Sequence, residues 1–174
     1  MRARAFIAGM IGAALFAIAS AFARRAGVPL DLEWLQGSLF TGAEGARGAT
    51  AYVLGLIAQL AVGGLLGLIY GAILAHTPHP SLSAGAFLGL VHALVAGVLL
   101  ALVPMLHPAV PEVIAAPGLL MSGRGTDASI VFVLLHVGFG MLMAALASPQ
   151  AARQAAAAPA RRHVVKDYTA ERWE

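Results

Sequence analysis

Three polar side chains, Gln59, His92 and His136, lie inside hydrophobic stretches that contain no Asp, Glu, Lys or Arg. With a helical rise of ~1.5 Å per residue, His92 lies about 15 Å from the start of its stretch, and Gln59 and His136 lie about 12 and 10 Å from the opposite side. An unpaired imidazole or amide is costly in hydrocarbon. We therefore expect the three side chains to share one interior polar layer, with Ser20 as a further polar residue near the end of the first stretch.

This polar layer is open to three interpretations. The first is a hydrogen-bonded structural cluster, with one trapped water and no cofactor. The second is a b-type haem site in an electron-transfer protein, because neutral imidazoles such as His92 and His136 on facing helices are the ligands that haem iron needs. The third is a small transporter or channel lined by the same three residues.

Several other kinds of chemistry lack the residues that they require. The chain has no cysteine, which excludes disulfides, thiolate metal sites and thiol redox chemistry. Proton-coupled transporters generally use a carboxylate within the membrane, and the hydrophobic stretches contain none. No nucleophile elbow, His-Glu-x-x-His pair, phosphate loop or dinucleotide fingerprint occurs, so we favour a non-enzymatic protein. His76 and His79 lie in a proline-rich turn, where a His-x-x-His pair is more typical of a polar turn than of a metal site.

The composition indicates which elements position these residues. The chain is 60% hydrophobic and 11% charged, against roughly 25% charged in soluble domains. Four uncharged stretches have the length of a transmembrane helix: residues 5–23, 50–75, 82–103 and 129–147. Because a helix satisfies its own backbone in lipid, we predict an all-α integral membrane four-helix bundle over residues 1–147. The first stretch also resembles a cleaved signal peptide, but its length and the Arg24-Arg25 pair that follows favour retention.

The connections between the four stretches differ in character. Residues 29–36 predict a short interfacial helix, with Trp34 at the level of the lipid headgroups. The short connection 75–81 predicts that the second and third spans are antiparallel neighbours. The proline-rich connection 104–128 is expected to lie on the membrane surface or to pack back over the bundle.

Two prolines and a change of composition mark the expected ends of the later spans. Pro104 is expected to end the third span and Pro149 the fourth, because proline removes a backbone donor and obstructs the preceding turn. Residues 148–174 are rich in Ala, Pro and Arg, which predicts a polar, flexible C-terminal tail.

Small residues recur every fourth position along one face of the second and third spans. Such faces let helix backbones approach closely in lipid. We therefore predict that these two spans pack face to face, and the alternative is a seam for a homo-oligomer or a partner protein. The predicted packing positions are Gly55, Gln59, Gly63, Gly67 and Gly71 in the second span and Gly85, Gly89 and Gly97 in the third.

The distribution of basic residues predicts the orientation. With both termini in the cytoplasm, seven Lys and Arg lie on the cytoplasmic side and four on the other side, which is the distribution favoured by the positive-inside rule. Arg24 and Arg25 lie on the side that has fewer basic residues. Because the basic residues flank hydrophobic segments or lie in the tail, we assign them to topology and lipid contacts and expect no nucleic-acid partner.

The glycine-rich runs 64–71 and 89–97, the segment from His136 to Gly140 and the Leu30-Asp31-Leu32 segment together resemble a family of small, uncharacterised four-span bacterial inner-membrane proteins. The resemblance covers residues 5–147. It implies a compact four-helix unit in the bacterial inner membrane, and no activity. The leading hypothesis is a non-enzymatic accessory or assembly subunit that packs through its glycine faces, with the lipid bilayer and a larger membrane complex or a second copy as partners.

Overall fold

The computed structural model describes residues 2–77 and 80–157, with the backbone alone from residue 147 onward. As predicted, this part of the chain is all-helical. Its elements are α1 (Arg2–Arg25), α2 (Leu32–Thr41), α3 (Ala49–Ala75), α4 (Leu82–Leu106), a 3-10 helix (Leu119–Arg124) and α5 (Thr126–Ala157).

Four of these helices are long and apolar enough to cross a membrane, as the composition predicted. They are α1, α3, α4 and the segment Thr126–Leu146 of α5. Their outer faces carry large exposed apolar side chains, including Phe22, Phe87 and Leu134, each more than half exposed. A surface of this kind is suited to lipid rather than to water.

The long helices pack in two pairs that the sequence analysis did not predict. The extensive contacts are those of α1 with α3 and of α4 with α5, and smaller contacts of α5 with α1 and α3 join the two pairs. The backbones of α3 and α4 scarcely meet. The prediction that the second and third spans pack face to face is therefore wrong, although only six residues separate the two helices in the sequence.

The helices pair in this way because the glycine face of each of α3 and α4 packs against small residues of a different helix. A side chain at Gly9 of α1 would overlap the backbone of Gly63 and Gly67 of α3. A side chain at Gly140 of α5 would overlap the backbone of Gly85 and Gly89 of α4. The predicted ladders of α3 and α4 therefore pack against small residues of α1 and α5, which were not among the predicted packing positions.

The remaining small positions serve other contacts within the chain. Gly55 of α3 lies against the backbone of Glu33 in α2, and Gly71 lies beside the side chain of Ala5 in α1. Gly97 of α4 lies against Leu120 in the 3-10 helix.

The two longer connections form a packed cap at the end of the bundle away from the last residues of α3 and the first residues of α4. The connection before α5 folds back over α2, and its Ala109, Val110, Ile114 and Met121 are buried together with Leu30. Packing back over the bundle was one of the two alternatives for this connection. Residues within α2 are also buried, so the helix is part of the cap, and its interfacial position stays a prediction.

Two helix ends differ from those expected at prolines. Pro104 lies inside α4, which ends at Leu106. Its missing N–H leaves the carbonyl of Leu100 without the usual i→i−4 donor, but the helix continues for two more residues. Residues 148–157, expected to belong to the tail, continue α5, consistent with the high helix propensity of their alanines. The rest of the predicted tail, 158–174, lies outside the described residues.

Candidate ligand-binding cavity

A cavity of about 210 Å³ lies near the middle of the bundle, between the two helix pairs. It opens between α3 and α4, where Val62 and Leu99 line it and are also about half exposed on the outer surface. Its lining is mostly apolar, and its polar members are few. They are Gln36, Gln59, His92 and His136.

The helix pairing explains why the cavity exists. α3 turns its glycine face toward α1, and α4 turns its glycine face toward α5. The sides of α3 and α4 that face each other therefore carry larger side chains, among them Leu66 and Leu100. These side chains hold the two backbones apart, which leaves a space that reaches the lipid-facing surface.

His136 of α5 is buried, with 6% of its surface exposed. Its Nδ1 lies 2.7 Å from the carbonyl oxygen of Phe132. A carbonyl oxygen can only accept, so Nδ1 carries the proton and donates it. In the neutral imidazole, Nε2 of His136 is then an acceptor.

His92 of α4 forms the polar connection between α4 and α3. Its Nδ1 lies 3.4 Å from the hydroxyl of Tyr70 in α3. The imidazoles of His92 and His136 contact each other edge to face, with 4.7 Å between ring centroids and 80° between ring planes. The structure thus places the two predicted histidines side by side on the cavity wall.

Gln59 of α3 lines the same cavity, as the expectation of a shared polar layer requires. Its Nε2 makes a long hydrogen bond of 3.4 Å to the carbonyl oxygen of Ala13 in α1. Its Oε1 and that of Gln36 are buried without a hydrogen-bond partner among the described residues. Ser20 is fully buried but lies away from the cavity lining.

The arrangement of the two histidines does not fit a haem. Axial ligation would place the iron and the porphyrin plane between two imidazole nitrogens, with metal–nitrogen bonds of about 2 Å on each side. Here the imidazoles touch each other directly, and the ring of Phe139 lies 6.0 Å from that of His92. No porphyrin plane fits between rings in this contact.

A metal site is also unsupported by the described residues. Within residues 2–77 and 80–157, no group of three or more His, Cys, Asp or Glu is placed to hold a metal ion. His76 lies on an exposed turn with its Nδ1 2.8 Å from the carbonyl oxygen of Ala72. Its partner in the His-x-x-His pair, His79, lies outside the described residues.

A cluster of ion pairs in the cap was missed by the sequence analysis. Arg24 Nη1 lies 2.7 Å from Glu33 Oε2, and both Arg47 and Arg124 pair with Asp31. Burial raises the pKa of the Glu33 carboxyl, and the Arg24 guanidinium opposes that shift. The available signal was that Asp31 and Glu33 are the only acidic residues of segment 29–36.

His107 is a second residue of the cap that the sequence analysis overlooked. Its Nε2 lies 2.8 Å from the carbonyl oxygen of Leu35, and its Nδ1 accepts from the backbone N–H of Ala109 at 3.1 Å. Both ring nitrogens are therefore satisfied, and His107 fastens the loop after α4 to α2.

Comparison of the chain with protein-family models, with curated proteins and with solved structures finds no match. The class of the protein therefore follows from its helices alone. With four helices long and apolar enough to span the bilayer, it is a multi-pass membrane protein.

Proposed function

We propose that this chain is a non-enzymatic membrane protein that holds an amphiphilic molecule from the bilayer, with the polar group of that molecule in the cavity. The observation that carries the proposal is the cavity itself, which opens between α3 and α4 and has His92 and His136 at its wall. A mostly apolar lining with a few convergent polar groups is the usual composition of a small-molecule site.

The size of the cavity supports an occupant that enters only in part. Its volume of about 210 Å³ is below the roughly 300–1,000 Å³ of sites that enclose a whole drug-sized ligand. A single ring or head group fits inside. The apolar remainder of the molecule would pass between Val62 and Leu99 into the surrounding lipid.

The charge of the lining restricts the polar group. Neither Arg nor Lys lines the cavity, and an unpaired anion is strongly disfavoured in such surroundings. The proposal therefore concerns neutral amphiphiles, not phospholipid phosphates or fatty-acid carboxylates.

The structure supports the accessory-subunit hypothesis less than it supports the binding of an amphiphile. The glycine faces on which that hypothesis rested are occupied by contacts within the chain, so they offer no free seam for a partner. Assembly with a larger membrane complex stays a prediction. A transporter or channel also stays a prediction, and no observation favours it over binding.

A bacterial inner-membrane location with both termini in the cytoplasm remains part of the proposal. The support for this orientation is the distribution of Lys and Arg, with seven on the side of the termini and four on the other side.

The test is to fill the cavity and compare the lipids that the protein retains. Ala96→Trp places a large ring at the cavity lining, and Val95→Trp places the same ring on the exposed face of α4. Each protein is purified in mild detergent, extracted with organic solvent and examined by mass spectrometry. We expect a neutral amphiphile enriched in the parent and in Val95→Trp but lost from Ala96→Trp. The same lipid profile in all three proteins would refute the proposal.

A further inference from the structure

The hydrogen bonds around the cavity define which polar group it accepts. The hydroxyl of Tyr70 is buried, with 4% of the residue exposed, and among the described residues its only hydrogen-bond partner is Nδ1 of His92. A buried hydroxyl proton without an acceptor is costly. We therefore assign Tyr70 as the donor and Nδ1 of His92 as the acceptor.

This assignment gives the two histidines opposite tautomers. With Nδ1 accepting, the neutral imidazole of His92 carries its proton on Nε2, which is then a donor. In His136 the proton is on Nδ1, because that atom donates to the carbonyl of Phe132, and Nε2 is an acceptor. Neither Nε2 has a hydrogen-bond partner among the described residues.

Both imidazoles line the cavity and contact each other, so between them they offer one free donor and one free acceptor. The Oε1 atoms of Gln36 and Gln59 are further unpaired acceptors of the lining. We infer that the cavity binds a membrane-soluble alcohol or phenol through a single hydroxyl group, an inference that rests on the proposed function. The hydroxyl oxygen accepts from Nε2–H of His92, and the hydroxyl proton is donated to Nε2 of His136.

Other neutral polar groups satisfy this pair less completely. A ketone, ester or ether oxygen only accepts, and it leaves Nε2 of His136 without a donor. An alkane satisfies neither nitrogen. A trapped water satisfies both, and it is the competing occupant that the experiment must separate from an alcohol.

The test uses the full chain in lipid nanodiscs and two matched probes, 4-octylphenol and 4-octylanisole. They differ by one methyl group, which converts a hydroxyl that donates into an ether that cannot. Saturable binding of each radiolabelled probe is measured above that of empty nanodiscs, and Ala96→Trp identifies the part that belongs to the cavity. We expect the phenol to bind about 3- to 10-fold more tightly, the ratio that one net hydrogen bond supplies.

His136→Phe removes the acceptor and keeps an aromatic ring in place. In this variant the preference for the phenol should be smaller than in the parent, although the lining also carries the unpaired Oε1 acceptors of Gln36 and Gln59. An unchanged preference would overturn the inference. His76→Phe is the matched control on the exposed turn, and it should keep the preference for the phenol.

A second measurement uses the parent protein, so it does not depend on whether a variant folds. Nitrogen-15 spectra of histidine-labelled parent protein report which ring nitrogen carries the proton. We expect an unprotonated Nδ1 in His92 and an unprotonated Nε2 in His136. The opposite tautomer in either residue overturns the inference.

The outcomes separate this inference from the proposed function. Equal binding of both probes, lost in Ala96→Trp, would overturn the hydroxyl inference and leave an amphiphile site. Binding of neither probe above empty nanodiscs would overturn both, with water as the occupant of the cavity.

Discussion

Tyr70 and His92 form the side-chain hydrogen bond that joins α3 to α4, two helices whose backbones scarcely meet. His92 lines the cavity, and Tyr70 packs against Phe139, another residue of the lining. The hydrogen bond has two consequences, since it ties the two helix pairs together and sets the tautomer of His92.

Tyr70→Phe removes this bond and keeps the aromatic packing of Tyr70 against Phe139, whose ring centroid is 5.4 Å away. We expect a loss of about 0.6 kcal/mol in the free energy of unfolding, the average for a hydrogen bond between membrane helices. The measurement is thermal unfolding in mild detergent, with Tyr52→Phe as the matched control. The ring of Tyr52 packs against that of Trp34 with 48° between the ring planes, and its hydroxyl has no hydrogen bond among the described residues. Equal effects of the two changes would contradict a linking role for Tyr70.

The close contact between α4 and α5 can be tested with two glycines of α5 that lie two residues apart. The two changes are Gly140→Ala and Gly138→Ala. A methyl group at Gly140 would overlap the backbone of Gly85, whereas one at Gly138 would meet nothing within 4 Å. Because Ala is favoured over Gly in a helix by about 1 kcal/mol, Gly138→Ala should raise the melting temperature and Gly140→Ala should lower it. If both changes raise it, the close approach of α4 and α5 is wrong.

The buried carboxyl of Glu33 should make the stability of the folded protein depend on pH. Burial raises the pKa of its carboxyl above the ordinary value of 4.5. The folded state therefore binds the carboxyl proton of Glu33 more tightly than the unfolded state does. The stability that this proton contributes is fully present below pH 4.5 and is lost as the pH rises through the folded-state pKa. Melting temperatures measured from pH 4 upward should decline less steeply in Glu33→Gln than in the parent. Glu44→Gln, at an exposed position, should follow the parent.

The orientation can be measured directly because the chain has no native cysteine. Single cysteines at Glu112, exposed on the cap, and at Ser83, exposed at the start of α4, lie at opposite ends of the bundle. In bacterial cells expressing each variant, a maleimide that cannot cross the membrane should label Glu112→Cys in intact cells. It should label Ser83→Cys only after permeabilisation. The reverse pattern would place both termini outside.

The sequence by itself determined that this is a helical protein with four spans, and it singled out Gln59, His92 and His136. The reason is local: an uncharged stretch of about 20 residues can satisfy its backbone in lipid only as a helix, and a polar side chain inside such a stretch needs an interior partner. Both properties are contained in a single segment and require no knowledge of its neighbours.

Which helices pair was decided only by the tertiary structure. Four segments carry small residues at compatible spacing, and dispersion between close backbones does not distinguish one glycine face from another. The choice of α1 for α3 and of α5 for α4 depends on how all four fit together. That choice leaves α3 and α4 apart, opens the cavity, and brings Tyr70 within 3.4 Å of His92. It also brings Arg124 to Asp31 across 93 positions of sequence, a distance over which no local pattern could indicate an ion pair.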